Sequence, residues 1–284
     1  MRVLFVSDFT LEQRIGGAQV SNNLIIEKGR ELGHEIIEHN FTSSVLDFLS
    51  TYDLLVSSNL EAINKFNPDK LDFIIKHPNH IRLEHDSCLY LDNALRQKLF
   101  ESSKLNFFLS DFHISFFTEN YGDYFKNVEI NYDPIDVQLF SPEEKEKEYD
   151  IVYCGYLHPL KGVGNLTEHA IKNKHRTMDV FGWPDPSIQT TFFDNIPNIN
   201  YHGPKDYTEI PNIFKKAKAI YHHPIVNEPF CRMVGEALLC GVEEVVGAKE
   251  KIGSYLEFKK VGREKFAEKC STATENFWNK IEEL

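Results

Sequence analysis

Short apolar runs rich in β-branched and aromatic residues recur at 3–7, 35–39, 54–57, 73–76 and 106–109, and the stretches between them carry apolar residues at helical spacing. Strands that alternate with helix-length segments pair in parallel through crossovers, so this pattern predicts a doubly wound α/β sheet. A second series follows at 151–154, 178–181, 199–202, 219–222 and 244–246, with helices expected over 163–172, 207–216 and 230–240. Between the two series lies Ser141-Pro142, then an unbroken charged run from Glu143 to Glu148. A polar segment opened by proline reads as an interdomain linker. The expected organisation is two Rossmann-like domains, residues 1–145 and 146–262, with a helical tail at 263–284. Open α/β sheets bind ligands beyond the C-terminal ends of their strands. The loops after Ser7, Lys76, Gly155, Gly182 and His223 are therefore the places to look for chemistry.

The richest of these is the segment 227–241, which reads Asn-Glu-Pro-Phe-Cys-Arg-Met-Val-Gly-Glu-Ala-Leu-Leu-Cys-Gly. Pro229 has a preset φ and no N–H to satisfy, which suits a first helical turn. It also disfavours helical geometry at Glu228, leaving that carboxylate on the loop after the strand. Glu236 follows about two turns along the helix. Backbone N–H groups from Phe230 to Met233, with Cys231 and Arg232 between them, are expected at a helix N-terminus, where an anion is favoured. A carboxylate for sugar hydroxyls, a helix end for phosphate and a second carboxylate for a ribose diol together describe a nucleotide-sugar site.

Other candidates are individually weaker. Gly16-Gly17 after the first strand suits a close backbone approach to phosphate at a helix start, though an ordinary helix-entry turn reads the same way. Lys161 precedes Gly162 at another helix start, where a point charge can hold a diphosphate. His85-Asp86 follows an apolar strand and a polar loop, and a structural pair in which the carboxylate merely orients the imidazole reads the same residues. His77, His80 and His85 lack convincing metal spacing. His222 and His223, adjacent on a strand, point to opposite faces, which favours one buried, hydrogen-bonded histidine beside one facing the ligand. Pro204-Lys205 after Tyr201-His202-Gly203 marks a turn.

The segment 227–241 resembles the Glu-x7-Glu motif of retaining glycosyltransferases with the GT-B fold, especially glycosyltransferase family 4. The resemblance extends over most of the chain. It includes Gly16-Gly17 with the later Leu32-Gly33-His34-Glu35-Ile36, the pair His85-Asp86, and the segment from Asp136 through Phe140 to Pro142. It also takes in Gly155-Tyr156-Leu157 with Lys161-Gly162. It implies two domains facing a central cleft and a chain end that crosses back onto the first domain, with Phe277 and Trp278 as apolar anchors. It implies a nucleoside-diphosphate sugar, UDP- or GDP-linked, as the donor, transferred with retention to a hydroxyl acceptor. Glu228, Lys161 and His85 would serve catalysis. Gly16, Gly17, Tyr156, Lys205, Phe230, Cys231, Arg232 and Glu236 would bind the donor, with Lys205 beside the nucleobase. No cofactor or metal is implied. Two positions depart from the pattern: Tyr156 stands where the family usually has an arginine, and Cys231 where it has glycine. Arg232, or less readily Arg176, is the candidate replacement for the missing charge.

Composition narrows the partners. With 31 basic and 43 acidic residues the net charge is −12, which disfavours a broad nucleic-acid surface. The lysine clusters at 215–218 and 259–269 read as solvated helix faces. No apolar run approaches the roughly 18–20 residues of a membrane span, and Asp8 and Glu12 interrupt the N-terminal run, unlike a signal peptide. Five scattered cysteines without a Cys-x-x-Cys pair suggest reduced thiols and a cytoplasmic location. The expected enzyme is a hexosyl- or pentosyltransferase; the alternative is a GT-B-shaped protein that binds nucleotide sugars without turnover. The acceptor, read by loops around 13–16 and 78–89, stays open: a saccharide or small molecule is favoured, and a modified nucleic-acid base is not ruled out.

Overall fold

The computed structural model describes residues 1–14, 16–44, 51–66, 68–87 and 91–284, with Phe66 described by its backbone alone. The chain divides into two units, one made of Met1–Pro134 with Ser271–Leu284 and the other of Ile135–Cys270.

In the first unit, β1 (Arg2–Ser7), β2 (Glu35–His39), β3 (Leu54–Ser58), β4 (His80–Leu83), β5 (Leu105–Phe108) and β6 (Val128–Ile130) form one parallel sheet in the order β2-β1-β3-β4-β5-β6. Its helices are α1 (Gly17–Glu31), α2 (Glu61–Phe66), α3 (Asp69–Lys76), α4 (Asn93–Ser102) and α5 (Asp111–Tyr121). Side chains of β1 alternate between two cores. Val3 and Phe5 pack with Ile25 and Ile26 of α1, while Leu4 and Val6 pack with Leu99, Phe108 and Phe117. Burial on both faces explains why the strand reads as an unbroken apolar run.

The run 73–76, expected as a strand, is the end of α3. Asp69 and Asp72 favour its first turn, Lys76 pairs with Asp72 one turn earlier, and Leu71 and Ile74 bury one face. The strand in this region is instead β4, which is fully buried despite its polar residues. His80 sits between the hydroxyls of Ser57 and Ser102, and Arg82 pairs with Glu84.

The second unit carries β7 (Tyr149–Cys154), β8 (Met178–Phe181), β9 (Ile199–Gly203), β10 (Ala217–His222) and β11 (Glu244–Gly247), parallel in the order β11-β10-β7-β8-β9. Its helices are α6 (Val163–Lys172), α7 (Ile210–Lys215), α8 (Arg232–Leu239) and α9 (Gly253–Val261). Next come α10 (Arg263–Ser271), which runs up to the unit boundary, and α11 (Ala273–Glu282), which belongs to the first unit.

The unit boundary falls at Pro134/Ile135, ahead of the expected 145/146. Phe140 is buried against Tyr207, and the charged run is fastened to α7 and to Lys216 just after it. Lys145 donates to Asn212 and Lys147 to the carbonyl of Lys215, while the N–H of Glu148 donates to Lys216. The second boundary falls at Cys270/Ser271, at the last residue of α10. Beyond it α11 completes the first unit. Phe277, Trp278 and Ile281 join the core with Val3 and Phe5, and the Trp278 indole donates to the carbonyl of Ile25 at 2.8 Å. Gly29 makes room for this ring, since a Cβ there would lie 2.4 Å from Trp278 Cζ2.

Candidate functional site

Two neighbouring strands of the second unit, β7 and β10, deliver the principal side chains. After β7 the chain makes a short 3-10 turn at Pro159–Lys161 and enters α6 through Gly162, whose φ of +83° is left-handed. A Cβ at Gly162 would lie 1.8 Å from the carbonyl oxygen of His223, so no other residue fits without moving the loop after β10. Asn165 donates to that same oxygen at 3.1 Å, and the N–H of Ile225 donates to Leu160. This loop-to-loop stitching brings Lys161 Nζ to 2.8 Å from Glu228 Oε1.

Glu228 itself is fixed by its backbone, donating to the carbonyl of Lys251 at 2.8 Å and accepting from the N–H of Gly253 at 2.9 Å. Its side chain is buried. His222 Nε2 lies 3.1 Å from the same Oε1, though off the line of a good hydrogen bond. Burial alone would raise the carboxyl pKa, but the charges of Lys161 and His222 more than offset it and hold the group well below the usual carboxylate range. Glu228 is thus kept ionised in a largely dry position.

The expected proline-initiated helix starts later than Pro229. Cys231 adopts left-handed geometry (φ +62°, ψ +83°), and α8 begins at Arg232, with the N–H groups of Val234 and Gly235 turning back to the Cys231 carbonyl. The helix end expected near Phe230 is therefore displaced by two residues. Phe230 is a core residue, stacked on Phe266 at 5.8 Å, and presents no ring to a ligand. Burial, reinforced by the Glu228 charge, pushes the Cys231 thiol well above its ordinary pKa.

Glu236, two turns into the segment, is held by Tyr207 and Arg232. The Tyr207 hydroxyl donates to Oε1 at 2.7 Å, and Arg232 Nη2 lies 3.3 Å from that oxygen and also 3.3 Å from the Tyr207 hydroxyl. Burial and the adjacent carboxylate raise the Tyr207 pKa. Tyr207 was not among the sequence candidates. The signal that could have found it is the Asp206-x-x-Glu209 capping box, which places Tyr207 at the first position of its 3-10 turn. Arg232, expected to stand in for the missing family arginine, is instead paired with Glu236. Arg176 is removed from the question, because it pairs with Asp150 and Glu244 at the opposite, N-terminal ends of β7 and β11. Tyr156 stacks on His158 and donates to Asp185 at 2.6 Å; hydrogen bonds from Ser187 first and Tyr156 second hold that carboxyl at about 2. Lys205 is half-buried on the loop after β9.

The remaining candidates lie in the first unit. Gly16 caps the N-terminus of α1 in extended geometry, and Gly17 opens the helix. His85 Nε2 is 2.9 Å from Asn22 Oδ1, and Nδ1 is 3.4 Å from Asp133. The carboxylate of the neighbouring Asp86 accepts from Asn59 at 2.6 Å. Of the loops expected to read an acceptor, Ile15 and the stretch from Cys88 to Leu89 lie outside the described residues. Among the described residues Cys154, Cys231, Cys240 and Cys270 are free thiols, and no helix is long and apolar enough to cross a membrane.

No known protein-family model matches the chain, and no curated protein sequence does. Solved structures do. HepE from Anabaena, solved with UDP, superposes with a TM-score of 0.70 over 100% of both chains at 13% identity. It has also been solved with UDP-glucose. Sucrose-phosphate synthase from Thermosynechococcus elongatus gives 0.66 over 100% of this chain and 95% of its own, at 10% identity. AviGT4, a glycosyltransferase involved in avilamycin A biosynthesis, gives 0.60 over 100% and 98%, at 13% identity. At such identities the likeness is one of fold, and the fold is GT-B: two α/β units, each built on a parallel Rossmann-like sheet.

Proposed function

We propose that this protein is a retaining glycosyltransferase of the family 4 type, using a nucleoside-diphosphate sugar, with Glu228 and Glu236 as its Glu-x7-Glu pair. The observation that carries this reading is the Lys161–Glu228 contact of 2.8 Å at the ends of two adjacent strands, with Glu236 further along α8. The UDP and UDP-glucose complexes of HepE support a UDP-linked donor ahead of a GDP-linked one.

In this reading the bond between the anomeric carbon and the diphosphate oxygen breaks while the acceptor oxygen bonds to the same face of the sugar. The acceptor proton passes to the departing phosphate, so no enzymic nucleophile is needed. Lys161 offsets charge developing on the diphosphate, which is where a preorganised cation contributes most. Glu228, held ionised, accepts hydrogen bonds from hydroxyls of the transferred sugar and so orients it. Glu236 takes the ribose diol, its orientation set by Tyr207 and Arg232. The cationic side chains carry the diphosphate charge. The acceptor is a saccharide or small molecule, in keeping with the acidic surface.

A second reading, nucleotide-sugar binding without turnover, is favoured by one feature. The arginine usual at position 156 is a tyrosine bound to Asp185, and Arg232 is drawn to Glu236. Incubation with a panel of UDP- and GDP-sugars separates the two. Release of free nucleoside diphosphate supports the transferase, and tight calorimetric binding without release supports the binding protein. If neither occurs with any donor, the nucleotide-sugar assignment fails. The anomeric configuration of a product, read by NMR, tests retention.

A further inference from the structure

His222, the last residue of β10, is only 2% exposed, yet neither of its ring nitrogens makes an in-line hydrogen bond among the described residues. Its Nε2 lies 3.1 Å from Glu228 Oε1 as an off-line ion-pair contact and its Nδ1 has no hydrogen-bond partner among the described residues, whereas buried imidazoles are normally hydrogen-bonded, so this ring calls for a physical reason. Cys231 supplies a second anomaly. It holds a left-handed φ of +62° that costs a non-glycine residue stability, and this backbone turns its thiol toward Glu228. One ligand atom each from His222, Glu228 and Cys231 lies within 4.8 Å of the others. Three separate anchors hold them: the sheet at β10, the backbone bridge of Glu228 to the segment at Ile252, and the Ser254 hydroxyl bonded to the Cys231 carbonyl.

We propose that His222, Glu228 and Cys231 form a binding site for a thiophilic divalent transition metal, with Zn2+ as the best match. An imidazole, a carboxylate and a thiolate suit zinc, whereas Mg2+ and Ca2+ take oxygen ligands. With metal–ligand bonds of about 2.0–2.3 Å, adjacent donors in a tetrahedral site stand roughly 3.5 Å apart, so this trio closes by about 1 Å through side-chain adjustment. Three protein ligands leave a fourth position for water or a ligand oxygen.

Charge is conserved on loading. At rest, the Lys161 ammonium balances the Glu228 carboxylate beside a neutral thiol. With zinc bound, carboxylate and thiolate together balance the ion, the thiol proton leaves to solvent, and Lys161 swings outward. The Lys161 side chain is 45% exposed and has water to move into, whereas His222 and Glu228 are buried. The bound ion is thus charge-balanced by its own ligands, which avoids the main penalty of a dry ionic site. Zinc also competes for the carboxylate that the glycosyltransferase reading assigns to the sugar. Inhibition of turnover by Zn2+ is a corollary resting on that reading, whereas metal binding itself does not depend on it.

Titration of the reduced full-length chain with Co2+ tests the site. The expected result is one equivalent bound with a thiolate-to-cobalt charge-transfer band, removed by competing Zn2+. In Cys231→Gly the band disappears and Zn2+ affinity falls by roughly a hundredfold or more, since even outer-shell changes cost 10–100-fold. Relief of the left-handed backbone keeps the melting temperature of this variant at or above that of the parent, so loss of binding cannot be blamed on unfolding. His222→Gln loses tight binding as well, while Lys161→Ala, which removes the competing cation, tightens it. Absence of the charge-transfer band in the parent, or its survival at full amplitude in Cys231→Gly, overturns the proposal. Because the metal is read by its own spectrum, a chain with no transferase activity still gives a clear answer.

Discussion

Glu228 shows how one side chain is tuned by its neighbours. Its carboxylate is buried and meets one partly solvated cation, Lys161, and one buried imidazole, His222. Breaking a wholly buried ion pair typically costs about 3–5 kcal/mol, but a partner as exposed as Lys161 recovers much of its hydration. Glu228→Gln is therefore expected to cost only about 1–2 kcal/mol in a urea titration. Calorimetry should show bare UDP bound nearly as before, and the complete UDP-sugar bound more weakly or turned over more slowly. Equal damage to both ligands would make Glu228 a structural residue, and damage to neither would remove it from the site. Cys231 and Tyr207 mark the limit of what residue types reveal. A left-handed cysteine and a tyrosine that reaches Glu236 from 29 positions away depend on three-dimensional closure, which local spacing does not encode.

At the level of elements, the loops after β7 and β10 behave as one object because Gly162 lets them touch. Gly162→Ala drives a methyl group into the His223 carbonyl and strains the backbone at once. The expected cost is about 2–4 kcal/mol, the range of combined steric and left-handed strain. It should appear as a lowered melting temperature, with loss of donor binding exceeding that of Lys161→Ala. A thermally unchanged Gly162→Ala would mean that the loops are not interlocked.

The histidines around the β4–β5 region give this part of the first unit a pH signature. Burial lowers the pKa of His113 to about 4 and that of His80 to about 3, against 6.5 in the unfolded chain. The unfolded chain therefore takes up protons first, so stability is full above about pH 6.5 and is lost as pH falls toward 4. Asp8, raised to about 6 by burial, acts in the opposite sense and offsets part of the loss. His113→Gln, which keeps a donor for the Asp86 carbonyl, should flatten the decline by up to about 3 kcal/mol between pH 7 and 4 in urea midpoints. An unchanged slope would remove His113 from the account. These same residues explain what periodicity missed. Helix 163–172 and strand 178–181 were legible because apolar spacing and burial agree there. β4 was hidden because His80 and Arg82 look like surface residues, and α3 was mistaken because Ile74-Ile75 imitates a strand.

Across the whole molecule, the first unit is built from two stretches of chain separated by the entire second unit. Its core depends on the later stretch, because Trp278 fills the space left by Gly29 and bonds the Ile25 carbonyl. Trp278→Ala should cost about 3–5 kcal/mol, as for other large aromatic truncations. Hydrogen exchange should localise the damage, with amide protection falling in β1, β2 and α1 and holding in β7, β8 and β10. Uniform loss across both sheets would show that the units unfold together.

The same discontinuity sets an order of events during synthesis. Domains generally fold as they emerge from the ribosome, N-terminal portions first. Here the first sheet emerges early but waits for α11, made after the whole second unit, to cover Val3, Phe5 and Ile25. The second unit, made in between, has its own segment complete before then. The unit begun first is thus finished after the second, and a chain cut short before α11 carries a completed second unit with an unsealed first one.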